Sequence, residues 1–451
     1  MRKYDLMNTE AGMRAETERL AKRKERDDEK KTVLSDGIDD EGGFFSHRKN
    51  VVRLILFVVA LGLAIYFITH AVNLMIHKDP GWYEIECDAD KEVPYFSSGF
   101  TFKYEFTGSS SEIGAKMKEL KSVYTEALKS NFKLLGADVT YDDTVNIASI
   151  NEFRGESVVV SEALFSVLKD AEQRSAKSDA YSLTAGVFNA IRDPIVYSDT
   201  PLDADPVFDP VCEEMLSKLE SIMESPDAAV LTFNESETSV RLDISGELAS
   251  FMKEYEIDCP VLDLGQLREA YILKNVASVL EERGYVNGYL TTDSGLSYLL
   301  PGMKETELAM YSRVDAENGV ETVVSATVKA QGGFASASLR VFNRYDGEYG
   351  FYSFEKDGKV YRRNPYMSDF DGEDAAFAAL AVSEKGDVVS ASYEALRSLK
   401  DGVKQKLDFD SEEEIIPIVE LADERGIIQS AGRDIELNEE AGFKLKQLYY
   451  K

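Results

Sequence analysis

Histidine and cysteine are scarce in this chain of 451 residues, which contains three of each. The histidines are His47, His70 and His77, so residues 78–451 contain none. That absence excludes Ser-His-Asp and Cys-His catalysis, and zinc held by histidine, from most of the chain. Chemistry there must use carboxylates, hydroxyls, Lys, Arg, backbone groups or a metal held by oxygen.

The cysteines, Cys87, Cys212 and Cys259, do not have the spacing of metal ligands. Because their number is odd, an oxidising compartment joins at most one pair and leaves one thiol free. We expect them to be small buried residues.

Positive charge is also in short supply. The chain has 51 Lys and Arg against 82 Asp and Glu, which gives a formal net charge of −31. Nucleic-acid binding requires a basic footprint, so this balance argues against a nucleic-acid partner. It argues equally against adsorption of the main domain onto anionic lipid. Residues 1–50 are balanced, with twelve basic and twelve acidic residues, and we interpret them as a solvated cytoplasmic tail.

Charged residues are missing altogether from Leu54–Ile76, which is long enough to cross a bilayer as one helix. Basic residues cluster just before this run, between His47 and Arg53, and no small-residue cleavage site is evident. The sequence therefore predicts an uncleaved transmembrane signal anchor over residues 51–77, with the N-terminus in the cytoplasm and the main domain outside the membrane. A buried core helix is the alternative.

The remaining chain predicts a linker over 78–98 and then one domain over 99–451. Hydrophobic periodicity and turn residues predict its elements. In the first half these are a strand Phe100–Phe106, a helix Ser110–Leu135, a helix Glu162–Lys177 capped by Ser161, a surface loop Asp193–Pro210, a helix Val211–Met223, and strands Ala228–Asn234 and Ser239–Ser245. In the second half they are an antiparallel meander over 307–355, a short helix with Pro417 near its start and Gly426 at its end, and a strand Ile427–Ser430.

Val261–Gly288 is the stretch on which the interpretation depends. A short apolar run enters Asp263-Leu264-Gly265, and a helix is predicted from there to about Arg283, with Gly284 as a left-handed cap. A helix start with free N–H groups is a ready anion site. The pattern is equally compatible with a structural role for Asp263 as an N-terminal cap.

This stretch resembles the D-L-[GS]-x-[IV]-x-[KE]-G-Y-A signature of the ApbE family of FAD:protein FMN transferases. The matching residues are Asp263, Leu264, Gly265, Leu267, Glu269 and Tyr271, whereas Ala270 replaces a glycine and Gln266 a small residue. The resemblance implies an α+β, T-fold-related domain with an antiparallel sheet and packed helices. It also implies binding of FAD with Mg²⁺.

Three further segments resemble the family in order, with departures. Ala180, Tyr181 and Ser182 take the places of an A-F-D segment that lines the flavin site, and a tyrosine ring there can still pack on an isoalloxazine. Tyr289–Gly295 stands where the family has a strand and N-x-G-G-D, and only Gly295 is kept. Arg362–Pro365 stands where the family has H-I-[IL]-D-P, without the histidine.

Val388–Ser398 resembles the family's strand followed by A-D-A-L-[SA]-T, in which the Asp and the Thr bind magnesium. Glu394 and Ser398 occupy those two positions here, and residues four apart share a helix face. By resemblance, the backbone carbonyl of Gln266 with Glu394 and Ser398 would hold Mg²⁺, and Asp263 would orient the nucleotide or the ion. A solvated helix face is the alternative interpretation of Glu394 and Ser398.

Two functions follow from the resemblance. The first is a transferase that moves FMN from FAD to a Ser or Thr of an extracytoplasmic acceptor protein and releases AMP. The second is an ApbE-like module that has lost catalysis and binds flavin or partner proteins at the membrane, which the absent histidine and replaced glycines favour. A structural ectodomain of unrelated fold remains a third possibility.

Overall fold

The computed structural model describes residues 56–68, 78–177, 179–316, 319–343, 348–367, 370, 375–402, 415–421, 426–430 and 435–447. The chain divides into two compact units, Met1–His77 and Lys78–Lys451.

In the first unit, residues 56–68 are helical and carry large exposed apolar side chains, such as Phe57 and Phe67. Among the residues with described positions, none forms a helix that is both long and apolar enough to span a membrane. The tail 1–50 and the rest of the predicted anchor 51–77 lie outside the described residues.

The second unit is a mixed fold of antiparallel sheets and packed helices. Its strands are β1 (Gly81–Glu84), β2 (Phe100–Phe106), β3 (Ser157–Val159), β4 (Ala229–Asn234), β5 (Ser239–Ile244), β6 (Gly288–Thr292), β7 (Leu296–Leu299), β8 (Thr306–Ala316), β9 (Gly319–Ala330), β10 (Ala335–Arg340), β11 (Tyr352–Lys356), β12 (Lys359–Arg363), β13 (Ala376–Ser383), β14 (Ile415–Leu421), β15 (Ile427–Ser430), β16 (Glu436–Leu437) and β17 (Lys444–Gln447). Its helices are α1 (Ser110–Leu134), α2 (Ile147–Glu152), α3 (Glu162–Ser175), α4 (Gly186–Val196), α5 (Pro201–Ala204), α6 (Pro210–Met223), α7 (Gly246–Glu254), α8 (Arg268–Glu282) and α9 (Val388–Asp401).

A nine-stranded sheet forms the centre, in the order β1-β2-β6-β7-β10-β13-β14-β15-β17. Neighbouring strands are antiparallel except for β15 and β17, which are parallel. Smaller sheets of order β3-β5-β4, β16-β9-β8 and β11-β12 lie around it.

Helices α8 and α9 pack against each other and against this sheet. Every residue of β13 is buried, and Ala376, Ala378, Ala379 and Ala381 are almost completely inaccessible. Because α9 packs directly on β13, these short side chains allow the helix to approach the strand closely.

Elements with a strong local pattern are confirmed. Strands Phe100–Phe106 and Ile427–Ser430 have the predicted bounds, and α1, α3, α6, β4 and β5 differ from prediction by one or two residues. Ser161 caps α3, since its Oγ accepts a hydrogen bond from the Leu164 N–H at 3.2 Å. Gly284 has φ +81° just after α8, as the predicted left-handed cap requires.

Four predicted elements are corrected. Residues 78–98 are not a linker, because β1 pairs with β2 and Phe96 is buried in the core. The predicted loop Asp193–Pro210 contains the end of α4 and all of α5. The predicted meander ends after β9, because β10 pairs with β7 and β13 of the central sheet and not with β9. The segment around Pro417 is strand β14, consistent with its β-branched residues.

The three cysteines are free in the structure, and the prediction that they are buried is confirmed for one of them. Cys212 is buried, whereas Cys87 and Cys259 are half-buried. Burial raises the pKa of each thiol to about 11. The thiols are therefore protonated at neutral pH and are poor nucleophiles.

Candidate functional site

A cavity of about 410 Å³ opens where six separate segments of the second unit meet. Its volume is within the range of small-molecule sites, roughly 300–1,000 Å³. The lining residues are Tyr197, Gly265, Gln266, Arg268, Glu269, Asp293, Ser294, Arg340, Glu348, Tyr349, Phe351, Pro365 and Tyr366. Acidic, basic, hydroxyl and aromatic side chains thus face one space.

The turn that starts the Val261–Gly288 stretch forms one wall. Asp263 shapes this turn, since its Oδ1 accepts from the Gly265 N–H at 3.0 Å and its Oδ2 from the Asn189 side chain at 3.3 Å. Gly265 has φ +52° and begins a short 3-10 turn that leads directly into α8. Asp263 is not the N-terminal cap of a helix, because the cap residues of this turn and of α8 are Leu264 and Leu267, neither with a side-chain hydrogen bond. Nucleotide contact by Asp263 stays a prediction.

Asn151 holds the approach to this turn in place. Its Oδ1 accepts from the backbone N–H groups of Val261 and Leu262, both at 2.9 Å, and its Nδ2 donates to the Leu262 carbonyl at 2.8 Å. The side chain is buried on α2. One amide therefore satisfies three backbone groups that would otherwise be buried without partners.

Glu269 and Ser294 meet on the cavity wall. The Ser294 Oγ donates a short hydrogen bond to Glu269 Oε2, and the Thr292 hydroxyl lies 2.7 Å from Ser294 Oγ. Burial raises the pKa of Glu269 above its ordinary value, although hydrogen bonds from Ser294 and Thr292 oppose the shift. A partly desolvated carboxylate next to a hydroxyl can accept the proton of that hydroxyl.

Two arginines line the same cavity. Arg340 pairs with Glu348 and lies 5.0 Å from the centre of the Phe351 ring. Arg268 donates from Nη2 to the Phe132 carbonyl at 3.2 Å, and its buried Nε has no acceptor among the described residues. Burial lowers the pKa of Arg268, so a bound anion would offset a real desolvation cost.

The predicted flavin-lining residues lie beside the cavity rather than on it. Tyr181 is buried, and no acceptor or donor for its hydroxyl is found within the described part of the chain. Ser182 is exposed, and the Leu183 carbonyl accepts from the Asp263 N–H at 3.0 Å, which places this turn next to the Asp263 turn. Flavin contact by Ala180, Tyr181 and Ser182 stays a prediction.

The predicted metal ligands are brought together only in part. Val388–Ser390 is the first turn of α9 instead of a strand, and Ser398 Oγ donates to Glu394 Oε1 at 3.3 Å along that helix. The 3-10 turn that contains Gln266 packs against α9, but the Gln266 side chain bonds to the Pro365 carbonyl in the cavity.

The Arg397 side chain binds both carboxylate oxygens of Glu394. Its Nε and Nη2 donate to the two oxygens at 3.0 and 2.6 Å. A cluster of three or more acidic, His or Cys residues that could hold a metal is not found within the described ranges. This arrangement does not fit a bound divalent cation, so magnesium binding by Gln266, Glu394 and Ser398 stays a prediction that requires Arg397 to move.

Gly295 serves the fold rather than a ligand. Its φ is +100°, and a Cβ atom built there would lie 2.2 Å from the Ser338 carbonyl oxygen. The Ser338 N–H also donates to the Gly295 carbonyl at 2.9 Å. The glycine therefore permits the close approach of β10 to the turn after β6.

Sequence reasoning did not assign several cavity residues. Glu269 and Ser294 lie inside stretches that carried the resemblance. The sequence shows that they are polar but not that they form a hydrogen bond with each other. Arg268, Arg340 and Tyr366 carry no local signal, because only the tertiary fold brings them to one space.

No protein-family model and no curated protein matches this sequence. Solved structures of similar shape exist. The ApbE protein from Thermotoga maritima is 16% identical with a TM-score of 0.48, and the match covers 80% of this chain and 97% of that one. The flavin transferase ApbE from Vibrio cholerae is 13% identical with a TM-score of 0.44, covering 74% and 93%. The flavinyl transferase ApbE from Pseudomonas stutzeri is 13% identical with a TM-score of 0.43, covering 76% and 92%.

Proposed function

We propose that this chain binds FAD in the cavity and transfers its FMN part to a Ser or Thr hydroxyl of an acceptor protein. One observation carries the proposal. Three segments that resemble transferase signatures are far apart in sequence, yet Gly265–Glu269, Asp293–Ser294 and Pro365 line the same cavity. Local structure alone does not require such convergence.

The cavity supplies groups suited to a pyrophosphate. Arg268 has a buried Nε donor without an acceptor among the described residues, and Arg340, at the end of β10, lines the same cavity. Guanidinium groups recognise phosphate oxygens in planar, charge-assisted hydrogen bonds. In phosphoryl transfer, positioning and neutralisation of developing charge provide most of the catalysis.

Magnesium, when bound, would neutralise the pyrophosphate and polarise the phosphorus under attack. The residues expected to hold it are Gln266, Glu394 and Ser398, and Arg397 now occupies the Glu394 carboxylate. The proposed transfer therefore depends on the chain's own groups.

A second candidate function is a flavin-binding or protein-interaction module without transferase activity. The Glu394–Arg397 pair favours it, because the pair fills the carboxylate that the transferase resemblance assigns to metal binding. The absence of histidine after His77 favours it as well.

The proposal includes a location. We infer from the uncharged run Leu54–Ile76 and the basic residues before it that residues 51–77 anchor the chain, with the second unit outside the cytoplasm. The acceptor would then be an extracytoplasmic protein. Protease treatment of intact and opened cells tests this, and degradation of the second unit only after opening would contradict it.

The transferase is tested by incubating the purified chain with FAD, Mg²⁺ and a peptide that carries a Ser or Thr acceptor, and then measuring peptide mass. A gain of one FMN with release of AMP supports the transferase. Bound FAD without transfer to any of a panel of acceptor peptides supports the module. Absence of FAD binding would overturn the transferase and the flavin-binding module and would leave the protein-interaction module.

A further inference from the structure

The turn after β6 presents a serine hydroxyl to the cavity with its proton already directed at a carboxylate. Ser294 Oγ donates to Glu269 Oε2, and both residues line the cavity. A hydroxyl paired with a base is the arrangement that activates a weak nucleophile. Neither residue at this pair has an assigned role in the resemblance described above.

The position of Ser294 is fixed from several sides. Thr292 Oγ1 lies 2.7 Å from Ser294 Oγ, and the same Thr292 oxygen accepts from the Leu296 N–H at 3.1 Å. The Tyr366 hydroxyl donates to the Ser294 carbonyl at 3.2 Å. The serine is thus held at the cavity wall by both its side chain and its backbone, which reduces the entropy cost of positioning it for attack.

The environment of Glu269 suits a proton acceptor. Burial raises its pKa, and the charged residues around it on the cavity wall are Arg268, Asp293, Arg340 and Glu348. Arg340 is paired with Glu348, and the buried Nε of Arg268 has no acceptor among the described residues. Carboxylate, hydroxyl and guanidinium therefore stand around one space.

We propose that Ser294 is itself an acceptor of FMN, so that this chain becomes a covalent flavoprotein. The proposal rests on the proposed function, because it requires FAD in the cavity. Ser294 Oγ attacks the phosphorus on the FMN side of the pyrophosphate, and the bond from that phosphorus to the bridging oxygen breaks. AMP leaves with the bond electrons, the Ser294 proton passes to Glu269, and the product is a Ser294–FMN phosphodiester.

The test uses the purified full chain and FAD, without any acceptor peptide. After incubation, denaturant removes non-covalent flavin, and intact-protein mass and peptide mapping locate any adduct. The expected result is one FMN on the peptide that contains Ser294, with one AMP released per chain. An adduct on another residue, or bound FAD without any adduct, would overturn the proposal.

Two variants and a control sharpen the test. Ser294→Ala should lose the adduct, whereas Ser297→Ala, on the neighbouring strand β7 and outside this cavity, should keep it. Glu269→Gln keeps a hydrogen-bond acceptor for Ser294 but removes the base, and should form the adduct about 100-fold more slowly. If Ser294→Ala does not fold, the rate of Glu269→Gln decides, and an unchanged rate contradicts the proposal.

The outcomes separate this inference from the proposed function. FMN on an added acceptor peptide but none on the chain would refute modification of Ser294 and leave the transferase standing. Absence of FAD binding by the chain would remove both.

Discussion

The guanidinium of Arg397 lies against both carboxylate oxygens of Glu394, three residues before it on α9. The two side chains are 14% and 11% exposed, so the pair is largely removed from water. Ser398, one turn beyond Glu394, donates to the same carboxylate. The oxygens expected to hold a metal ion are therefore committed to an internal cation.

Removing Arg397 should allow Glu394 and Ser398 to bind Mg²⁺. In the wild-type chain, Mg²⁺ is expected to leave the melting temperature unchanged. Arg397→Ala should cost about 3 kcal/mol of unfolding free energy because it leaves a buried carboxylate unpaired. Mg²⁺ should then recover part of that loss. The double variant Arg397→Ala/Glu394→Ala is the control, and an equal response to Mg²⁺ in wild type and Arg397→Ala would contradict this interpretation.

Asn151 is expected to matter for both stability and the site. Asn151→Ala removes three hydrogen bonds to Val261 and Leu262 and should cost about 2–4 kcal/mol, measured by urea unfolding. Because those residues lead into the Asp263 turn, FAD affinity should fall as well. Asn234→Ala changes an asparagine whose partners lie in its own exposed turn, and should change neither quantity. Similar losses in both variants would argue against a special role for Asn151.

Gly295 allows a test of close backbone approach. Gly295→Ala should destabilise the chain by about 2–4 kcal/mol, because the new methyl group would clash with the Ser338 carbonyl and because alanine disfavours the positive φ of this position. Gly333 also has positive φ, at +85°, but open space around its Cβ position. Gly333→Ala should therefore cost only about 1 kcal/mol, from backbone strain alone. Equal costs in the two variants would show that the contact with Ser338 is unimportant.

Asp387 should make stability fall in acid. Although burial alone would raise its pKa, Lys274 at 3.1 Å and the Ser390 hydroxyl at 2.6 Å hold it below the ordinary value of 3.8. A lowered pKa stabilises the folded chain above the unfolded value and loses that contribution as the pH falls through the folded one.

Asp387→Asn should therefore cost about 1–3 kcal/mol at neutral pH and less in strong acid, because the wild-type carboxyl is neutral there too. Denaturant unfolding across the acid range measures this. Asp315→Asn, at an exposed position of β8, is the control and should show no such trend. A cost for Asp387→Asn that is independent of pH would contradict the assignment.

Local patterns predicted the elements whose apolar period is regular. Phe100–Phe106 alternates along an amphipathic strand, and Ser161 lies directly before the helix that it caps. Patterns failed where tertiary packing decided the outcome. Val388–Ser390 has the β-branched residues of a strand, but Asp387 caps it as a helix on β13. Pro417 suggested a helix start, yet Ile415–Leu421 is an interior strand paired with β13.

The candidate site was predictable only in outline. The Asp263–Glu269 stretch was visible because its residues are consecutive. The partners that complete the cavity, such as Arg340 and Tyr366, come from segments about 70 to 100 residues further along the chain. Helical spacing brings both Arg397, at i+3, and Ser398, at i+4, next to Glu394, so the spacing alone does not show which of them binds its carboxylate.

The most direct test of the account is a titration of the purified chain with FAD, in which flavin fluorescence reports binding. It compares the wild type with Arg268→Ala. Saturable binding at one FAD per chain is expected, and loss of the cavity guanidinium should weaken it at least about tenfold, as expected for a charge-assisted hydrogen bond. Lys118→Ala, on the exposed face of α1, should bind FAD as wild type does. Absence of saturable binding to the wild-type chain, or equal affinity of Arg268→Ala, would contradict the assignment of this cavity to the flavin nucleotide.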